Sequence, residues 1–452
     1  MSKSVHLEEI PYCPDGSELF ERLRELPGAA FLDSSFPHST RGRFDIMAAE
    51  PVPDLLPEPP VGADEQAALD WFDDLAACHA QRYAGIQPVS QDVPFCGGIL
   101  GHLGYGLGKQ LHDLGPDEDA NSPAVHLGIY DWCVVQDHLL RRSLLVCQPE
   151  VSASRQADLL ARLRLPRKPG AGQFQLEQAF TPCISADQYQ QAFQQIEAYI
   201  HAGDCYQVNL AQRFSSRYQG DPWQAYRRLR GVAGAPFAAY LDTPGGALLS
   251  LSPERFMSLV GHRVETSPIK GTRPRYANPQ ADRLAERELR GSTKDRAENL
   301  MIVDLLRNDL GRSCVPGSIH VDRLFEVQKF ATVHHLVSTI RGELSPERNA
   351  WDLLRDSFPG GSITGAPKRR AMQIIAELEA HPREAFCGSV FYVSADGRMD
   401  SNIAIRSFVC EQGDMRCWAG GGIVADSRWQ QEYQECFDKI GRLVAALDET
   451  VV

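Results

Sequence analysis

The chain has 452 residues, of which 43% are apolar and 23% are charged, a composition typical of a globular protein with a large core. Its net charge of −13 excludes a generally basic surface, so we expect no nucleic-acid partner. No apolar run is long enough to span a membrane, and the opening MSKSVHLEEI has no apolar stretch, so we predict no membrane contact and no signal peptide. The 12 cysteines are scattered without a C-x-x-C pair, which indicates reduced thiols and a cytoplasmic location.

A stretch rich in proline, glycine and charge at residues 164–178 is the clearest break in the chain. It predicts two regions, an N-terminal region at 1–165 and a longer region at 175–452. A second polar stretch, at 113–124, is predicted to be a surface loop.

The elements after the break favour antiparallel sheets. Ser185 can cap a helix that ends at Gly203, and the segment CYQVNLAQRF that follows alternates like a strand. Other strand-like segments come in groups at hairpin spacing, and the helices do not alternate strictly with them. We therefore predict an α+β fold, in which large antiparallel β-sheets pack in a sandwich with helices outside.

Two further helices have recognisable starts. Ser292 and Asp295 resemble a capping box, and the helix that they open should stop at Gly311. Ser427 is expected to cap the last helix, which should run to about Leu447.

The segment VETSPIKGTRPR holds a lysine between residues that restrict the backbone. Pro268 requires a strand end, edge or bulge, and Gly271 lets a ligand approach closely, so Lys270 would point into a pocket. The chain before it folds back near Gly261. A three-residue turn there would place Glu254 opposite Lys270, whereas a two-residue turn would put them on opposite faces. We predict the three-residue turn or a β-bulge between the two residues. On one face they could act as nucleophile and general acid, although a cross-strand salt bridge is the simpler interpretation.

Carboxylates at helical spacing are candidate metal ligands. Glu298 lies in an apolar helix, where a buried carboxylate needs a partner such as a divalent cation. Glu432, Glu435 and Lys439 share one face of the last helix. A salt bridge between Glu435 and Lys439 on a solvated face is the alternative.

Two glycine-rich segments and an arginine could bind anions. Gly365, Pro367 and Lys368 mark a helix start, where free N–H groups favour an anion. Gly420–Gly422 are predicted to form a turn that a carboxylate could approach, and Arg406, in the alternating segment NIAIRSF, could clamp a carboxylate. Tight turns and a strand-edge charge are the structural alternatives. Together these groups indicate a small polyanionic substrate, and we expect them to line the same cavity as Lys270.

Several segments, in this order, resemble one enzyme family. That family is the chorismate-utilising enzymes, and the resemblance runs from about residue 185 to the C-terminus, with RGRFDIMAAEP and GGILGHLGYGLGKQL extending it through the N-terminal region. The segments are SPERF, SPIKGTRPR, DRAENLMIVDLLRNDLGR, HHLVSTI, FPGGSITGAPK, CGSVFYV, MDSNIAIRS, AGGGIVADS and EYQECFDKIGRL. The resemblance makes residues 175–452 the chorismate-utilising region.

Within that family the lysine of PIKGT is informative, because anthranilate synthases resemble this sequence but read PIAGT. The lysine implies that ammonia replaces the C4 hydroxyl of chorismate, giving 4-amino-4-deoxychorismate for 4-aminobenzoate and folate synthesis. The resemblance implies that Lys270 attacks ring C2 and that Glu254 is the general acid. Anthranilate or isochorismate synthesis is the alternative reaction, and an inactive scaffold for a glutaminase subunit is an alternative of another class.

The resemblance also implies ligands for the remaining groups. Mg²⁺ is expected on Glu298 and Glu435, with Glu432 as a helper. Substrate is expected at Gly271, Thr272, His335, Thr364, Tyr392, Arg406, Gly421, Gly422 and Lys439.

The N-terminal region is expected to contribute a tryptophan site and a contact with a partner. The residues matching the tryptophan site are Ser34, Arg43, Phe44, Pro236 and Phe237. Gly42 and Arg41 depart from the family pattern there, which is usually SRFD with an aromatic residue before it. The sequence has no spare glutaminase unit, so ammonia is expected from a separate glutamine amidotransferase subunit or from solution.

Overall fold

The computed structural model describes residues 4–39, 41–60, 64–87, 89–90, 92–115, 125–165, 172–330 and 333–448. Its strands are β1 (His6–Ile10), β2 (Ala30–Asp33), β3 (Phe44–Ala48), β4 (Gly98–Leu103), β5 (Val125–Tyr130), β6 (Trp132–Asp137), β7 (Arg142–Cys147), β8 (Phe174–Leu176), β9 (Thr181–Pro182), β10 (Gln207–Gly220), β11 (Phe237–Thr243), β12 (Gly246–Ser252), β13 (Arg255–Val260), β14 (Arg263–Thr266), β15 (Ile269–Pro274), β16 (His320–Lys329), β17 (Val333–Glu343), β18 (Gly365–Ala366), β19 (Ser389–Ser394), β20 (Met399–Asn402), β21 (Ser407–Glu411) and β22 (Asp414–Ile423). Its helices are α1 (Gly16–Phe20), α2 (Glu65–Arg82), α3 (Tyr105–Gln110), α4 (Ala153–Arg164), α5 (Ala186–Ala202), α6 (Pro222–Ala233), α7 (Pro279–Gly291), α8 (Thr293–Leu310), α9 (Ala350–Ser357), α10 (Lys368–Leu378) and α11 (Trp429–Leu447), with a 3₁₀ turn at Gly361–Ile363.

Two antiparallel sheets organise the chain. The first follows the order β1-β7-β6-β3-β2-β11-β12-β21-β22-β10-β18, with β8 and β9 also paired to β10. The second follows β15-β17-β14-β13-β20-β19-β4-β5, with β16 also paired to β17. Buried apolar side chains of both sheets and of the helices form one core. The predicted α+β sandwich is therefore confirmed.

Strands from the N-terminal region belong to both sheets. β2 pairs with β11 in the first sheet, and β4 pairs with β19 in the second. The break between the predicted regions 1–165 and 175–452 falls partly on residues 166–171, outside the described residues, and most of the predicted loop at 113–124 lies outside them too. The division into two regions stays a prediction, since the described strands interleave across it.

Local signals placed two helices correctly. α5 begins at Ser185 with a full capping box to Gln188, and it ends at Gly203 with a φ of 82°. Ser292 caps α8 through the backbone N–H of Asp295, and Gly311 follows its last residue. These ends depend on hydrogen bonds between near neighbours, which is why the sequence predicted them.

The predicted cap of the last helix is wrong. α11 begins after Arg428, which makes no side-chain cap. The hydroxyl of Ser427 instead donates to Oε1 of Glu432 at 2.8 Å. The predicted serine is thus committed to a carboxylate in the next turn.

All 12 cysteines are free thiols, as predicted. No helix in the described part of the chain is both long and apolar enough to cross a membrane.

Candidate active site

Ser362 connects the two residues predicted to carry the chemistry. It lies in the 3₁₀ turn, and its hydroxyl donates to Oε1 of Glu254 at 2.9 Å. Its carbonyl oxygen accepts a hydrogen bond from Nζ of Lys270 at 3.3 Å. Glu254 and Lys270 therefore share one site, and the contact between them runs through Ser362.

The predicted three-residue turn is wrong. Val260 pairs directly with Arg263, which leaves a two-residue turn. Glu254 and Lys270 still meet because Lys270 pairs with Leu336 of β17, not with the strand that follows Glu254. Glu254 precedes β13, and its carboxylate accepts from a backbone N–H in β15, which draws it toward Lys270. The register of the β13–β14 hairpin therefore does not determine the position of Lys270, which lies on β15.

The alternative prediction, a β-bulge between Glu254 and Lys270, agrees with a register shift between Arg255 and Ser258, where β13 pairs with β20. A second register shift lies just beyond Lys270. The register between β15 and β17 shifts between Lys270 and Thr272, with Gly271 at a φ of +79°. A Cβ on Gly271 would lie 2.9 Å from Cβ of Asp295 and from Cδ1 of Leu289. The glycine is required both by its conformation and by the close packing of α7 and α8 against it.

Burial moves the two pKa values toward each other. Glu254 is 5% exposed, and burial raises the pKa of its carboxyl to about 7. Desolvation, followed by the nearby charge of Lys439, lowers the pKa of the Lys270 amine. The higher pKa favours the protonated form of Glu254, and the lower pKa favours the neutral amine of Lys270. A neutral amine can attack as a nucleophile, and a protonated carboxyl can give its proton to the leaving group.

His335 and Thr272 form one wall beside the bulge. Nδ1 of His335 and Oγ1 of Thr272 are 2.8 Å apart. Burial, with the nearby positive charge of Arg406, lowers the pKa of His335 to about 3, so the imidazole is neutral. Its Nε2 is buried and has no hydrogen-bond partner among the described residues, so it is available to a ligand.

Arg406 supplies an unpaired positive charge. It was predicted to lie in a strand, but it falls between β20 and β21 with a φ of +51°. Its guanidinium makes no hydrogen bond or ion pair within the described chain, and burial lowers its pKa despite the nearby Glu254. Because an unpaired guanidinium in a pocket is costly, this one is suited to a carboxylate supplied by a ligand.

The three predicted metal ligands lie on two helices. Glu298 lies on α8, whereas Glu432 and Glu435 lie on α11. The carboxylates of Glu432 and Glu435 both lie near Gly421. A Cβ at Gly421 would lie 2.9 Å from Oε2 of Glu432 and 3.3 Å from Oε1 of Glu435. Gly420–Gly422 do not form the predicted turn; they continue β22, paired with β10, because the ladder runs to Ile423. The absence of side chains there makes room for the carboxylates.

Two lysines balance these acids. Nζ of Lys439 is 2.6 Å from Oε1 of Glu435, which is the salt bridge weighed as the alternative, and 2.6 Å from the carbonyl oxygen of Gly420. Nζ of Lys294 is 3.8 Å from Oε1 of Glu298. Burial raises the pKa of Glu298, whereas Lys439 overcomes burial and lowers the pKa of Glu435.

The donor set fits Mg²⁺, which prefers carboxylate oxygens and needs only one or two of them together with substrate and water. Burial, and to a smaller extent the nearby charges of Asp295 and Glu435, raise the pKa of Glu298, and a bound cation would relieve that repulsion. Within the described part of the chain, no group of three or more histidine, cysteine, aspartate or glutamate side chains is placed to hold a metal ion, so substrate and water would have to complete the coordination.

Two other predicted substrate residues make contacts within the chain. Thr364 follows the 3₁₀ turn directly, and its Oγ1 donates to the carbonyl oxygen of Gly360 at 3.1 Å. Gly422 faces Gln207, whose Nε2 would lie 2.8 Å from a Cβ at that glycine. Thr364 thus supports the turn that holds Ser362.

Tyr392, another predicted substrate residue, is buried in β19 of the second sheet. Its ring packs edge-on against Phe95, with centroids 5.4 Å apart. Burial, followed by the charge of Asp400, raises the pKa of its hydroxyl. These contacts do not connect it to Lys270.

The predicted anion site at the start of α10 is occupied by the chain itself. Nζ of Lys368 is 2.8 Å from Oδ1 of Asp309 and donates to the carbonyl oxygen of Ser357 at 3.0 Å. Because Lys368 is committed to a buried ion pair, its charge stabilises the fold around the 3₁₀ turn.

The residues matched to a tryptophan site lie together but have internal partners. Ser34 donates through its hydroxyl to Oδ1 of Asp45 at 2.7 Å. Arg43 donates through Nε to Asp137 at 3.0 Å and lies 4.5 Å from the centre of the Phe44 ring. The polar groups that would orient an amino acid are thus engaged within the chain.

Pro236 and Phe237 lie at the same end of the sheet. The ladder between β11 and β2 ends at the pair Ala238 and Asp33, and Phe237 and Ser34 are the chain neighbours of that pair. The Phe237 ring lies 5.0 Å below the guanidinium of Arg255.

The two departures from the family pattern have structural consequences. A Cβ at Gly42 would lie 2.3 Å from Cβ of Ser34, so the chain packs there only with glycine. Arg41 lies over the ring of Phe330 at 4.6 Å, and that ring lies against His335 with centroids 4.8 Å apart. Arg41 thus connects this region to the wall of the pocket.

Sequence reasoning missed two residues of the site. Ser362 lies in the segment FPGGSITGAPK, but a serine among glycines gives no local indication of its hydrogen bonds with Glu254 and Lys270. Lys294 lies four residues before Glu298, a helical spacing that could have identified it.

Comparison with known proteins identifies the class. Residues 39–445 match the chorismate binding enzyme family, and the chain belongs to that family. It is 46% identical over 447 residues to aminodeoxychorismate synthase component 1 of Klebsiella aerogenes, covering 97% of this chain and 98% of that protein. It is 36% identical over 442 residues to anthranilate synthase component 1 of Streptomyces coelicolor, covering 93% and 84%. The structure of anthranilate synthase component I from Streptococcus pneumoniae TIGR4 superposes with a TM-score of 0.77 at 30% identity, covering 90% and 93%.

Proposed function

We propose that the chain is a transferase that aminates chorismate at C4, giving 4-amino-4-deoxychorismate, the reaction named by its aminodeoxychorismate synthase relatives. The observation that carries the proposal is Ser362, which holds an acid with a raised pKa and an amine with a lowered pKa in one site. Covalent catalysis by Lys270 requires both.

The steps balance with these two groups. The neutral amine of Lys270 adds to C2, the ring double bond shifts, and the C4–O bond breaks as Glu254 gives its proton to the departing hydroxyl, which leaves as water. Ammonia then adds at C4, the double bond shifts back, and the C2–N bond breaks to release the lysine amine. The carboxylate of Glu254 accepts the proton that the added ammonia gives up.

Other side chains hold the substrate. Arg406 is suited to one carboxylate through two parallel N–H bonds, and Nε2 of His335 can hydrogen-bond to the ligand beside it. Mg²⁺ held by Glu298 and Glu435, with Glu432 helping, would supply positive charge for a substrate carboxylate. Lys439 is within reach of the same region.

The ammonia comes from a separate glutamine amidotransferase subunit, with which the chain forms a heterodimer. The name "component 1" of the relatives supports a second component. The product then serves 4-aminobenzoate and folate synthesis. Tryptophan is the proposed ligand near Ser34 and Phe44, although their internal contacts leave few free polar groups for it.

The mass of the product formed from chorismate, Mg²⁺ and ammonium tests the proposal. 4-Amino-4-deoxychorismate is expected. Anthranilate or isochorismate as the product would assign the chain to those reactions, to which its similarity to anthranilate synthase gives some support. Failure to consume chorismate would favour a scaffold for the glutaminase.

A further inference from the structure

Two of the carboxylates in the site are paired with lysine side chains. Lys439 contacts Glu435 at 2.6 Å, and Lys294 lies 3.8 Å from Glu298. Lys294 also lies within electrostatic reach of Glu432 and of Glu435. Two of the three acids, Glu298 and Glu435, are thus each paired with a lysine one helical turn away.

Lys439 also has a second anchor. Its Nζ donates to the carbonyl oxygen of Gly420 at 2.6 Å while it contacts Glu435. The ammonium group therefore sits between α11 and β22, beside the space over Gly421 that Glu432 and Glu435 border. A compact ammonium at this place and a hard divalent cation would seek the same Glu435 oxygen.

We propose that Lys439 is a displaceable counter-ion that competes with the divalent cation for Glu435, and that Lys294 plays the weaker, equivalent part at Glu298. The proposal rests on the metal site of the proposed function. Lys439 holds the carboxylates together in the metal-free chain, and it leaves Glu435 when the cation binds. The Lys439 side chain is 40% exposed, so the lysine can swing into solvent once the cation takes its place at Glu435.

The exchange has a functional consequence. Lys439 is within electrostatic reach of Lys270, so once it is released from Glu435 it can meet an incoming carboxylate at that pocket. The Lys439 ammonium would thus pair with Glu435 before the cation binds and with a substrate carboxylate afterwards. Cation binding and substrate binding would support each other through this one side chain.

Direct Mn²⁺ binding to the full chain without chorismate, measured by electron paramagnetic resonance, tests the competition. Lys439→Met should bind Mn²⁺ about two- to fivefold more tightly, the fold-change equivalent to losing an exposed ion pair. Lys294→Met should give a smaller gain. Lys329→Met is the matched control, since it removes an exposed lysine paired 3.0 Å from Glu286, and it should change nothing.

The outcomes separate this inference from the metal site itself. Loss of Mn²⁺ binding in Glu435→Gln with unchanged affinity in Lys439→Met would overturn the counter-ion role alone. Unchanged binding in Glu435→Gln would overturn the metal assignment and the inference together.

A second measurement uses the unmodified chain, so its result does not depend on whether a variant folds. Acetylation of each lysine by a water-soluble reagent is quantified by mass spectrometry with and without Mg²⁺. Lys439 should be labelled several-fold faster with Mg²⁺, because its amine is released, while Lys329 should be labelled equally. Equal or slower labelling of Lys439 with Mg²⁺ would overturn the exchange.

Discussion

Glu254 and Lys270 are held by opposite polar groups of the same residue: the Ser362 hydroxyl donates to the acid, and the Ser362 carbonyl accepts from the amine. This arrangement keeps the two side chains in one pocket without a direct ion pair. An ion pair would favour the charged forms of both groups, whereas the proposed reaction needs both neutral.

Lys270→Ala should abolish or divert C4 amination. Without the amine, C2 is open to direct attack and no covalent intermediate forms. Intact-protein mass spectrometry of the unmodified chain with chorismate and no ammonia should show an adduct that the variant lacks. Full conversion to 4-amino-4-deoxychorismate by the variant would contradict the covalent role.

The charge on Glu254 should make the fold less stable as pH rises. Its pKa is about 7 in the folded chain against 4.5 ordinarily. Because the unfolded carboxyl loses its proton first, stability is fully present below pH 4.5 and is lost as pH rises through 7, by about 3 kcal/mol in total. Glu254→Gln stays neutral and should lose less stability over that range.

Urea denaturation on both sides of that window measures the effect. The exposed Glu347→Gln is the control and should follow the unmodified chain. The interpretation fails if Glu254→Gln shows the same dependence on pH as the unmodified chain.

Ser362→Ala should move the pH dependence of the rate upward. The hydroxyl of Ser362 stabilises the charged form of Glu254, so its loss raises the pKa of that acid further. The alkaline limb of the kcat profile should rise by up to about one pH unit, and kcat should fall about two- to tenfold as the acid loses its anchor. Ser154→Ala, at an exposed serine of α4, is the control. An unmoved alkaline limb would show that another group sets it.

Glu298→Gln and Glu435→Gln should each weaken Mg²⁺ binding by at least about tenfold, because glutamine keeps the shape but loses the charge. Glu432→Gln should have a smaller effect, since Glu432 is already bonded to Ser427. Titrating activity with Mg²⁺ and measuring Mn²⁺ affinity check this. Wild-type Mg²⁺ dependence in both variants would remove them from the metal site.

Arg406→Lys should raise the KM for chorismate while the fold stays as stable as before. The guanidinium has no partner in the described chain, so only the substrate loses a contact, and a lysine cannot replace two parallel N–H bonds. A loss of about 1.5–3 kcal/mol of binding is expected for a hydrogen bond to a charged group. Steady-state kinetics and a thermal melt distinguish this from a structural role, in which the melting temperature would fall with unchanged KM.

The parts of the fold predicted from sequence are those fixed by nearby residues. The ends of α5 at Ser185 and Gly203 depend on contacts within one turn. The turn before Lys270 could not be placed, because Lys270 takes its strand partner from Leu336, far along the chain. Gly420–Gly422 were assigned to a turn for the same reason: their ladder partners on β10 lie about half the chain away, and glycine alone favours a turn.

The same distinction between local and long-range contacts applies to the residues of the site. Lys270, Glu254 and Glu298 were singled out by residue type and setting, whereas the roles predicted for them came from the family resemblance. Ser362 could not be singled out in this way, because its function lies wholly in two tertiary contacts.

The interleaving of strands across residues 166–171 bears on how the enzyme could be divided. Cutting away the N-terminal region would strip β2 from β11 and β4 from β19. All six residues of β19 are buried, so the cut would turn an interior strand into an open edge with unpaired N–H and C=O groups. Such an edge recruits other chains. We therefore expect residues 175–452 expressed alone to aggregate, because strands from the N-terminal part of the chain complete both sheets.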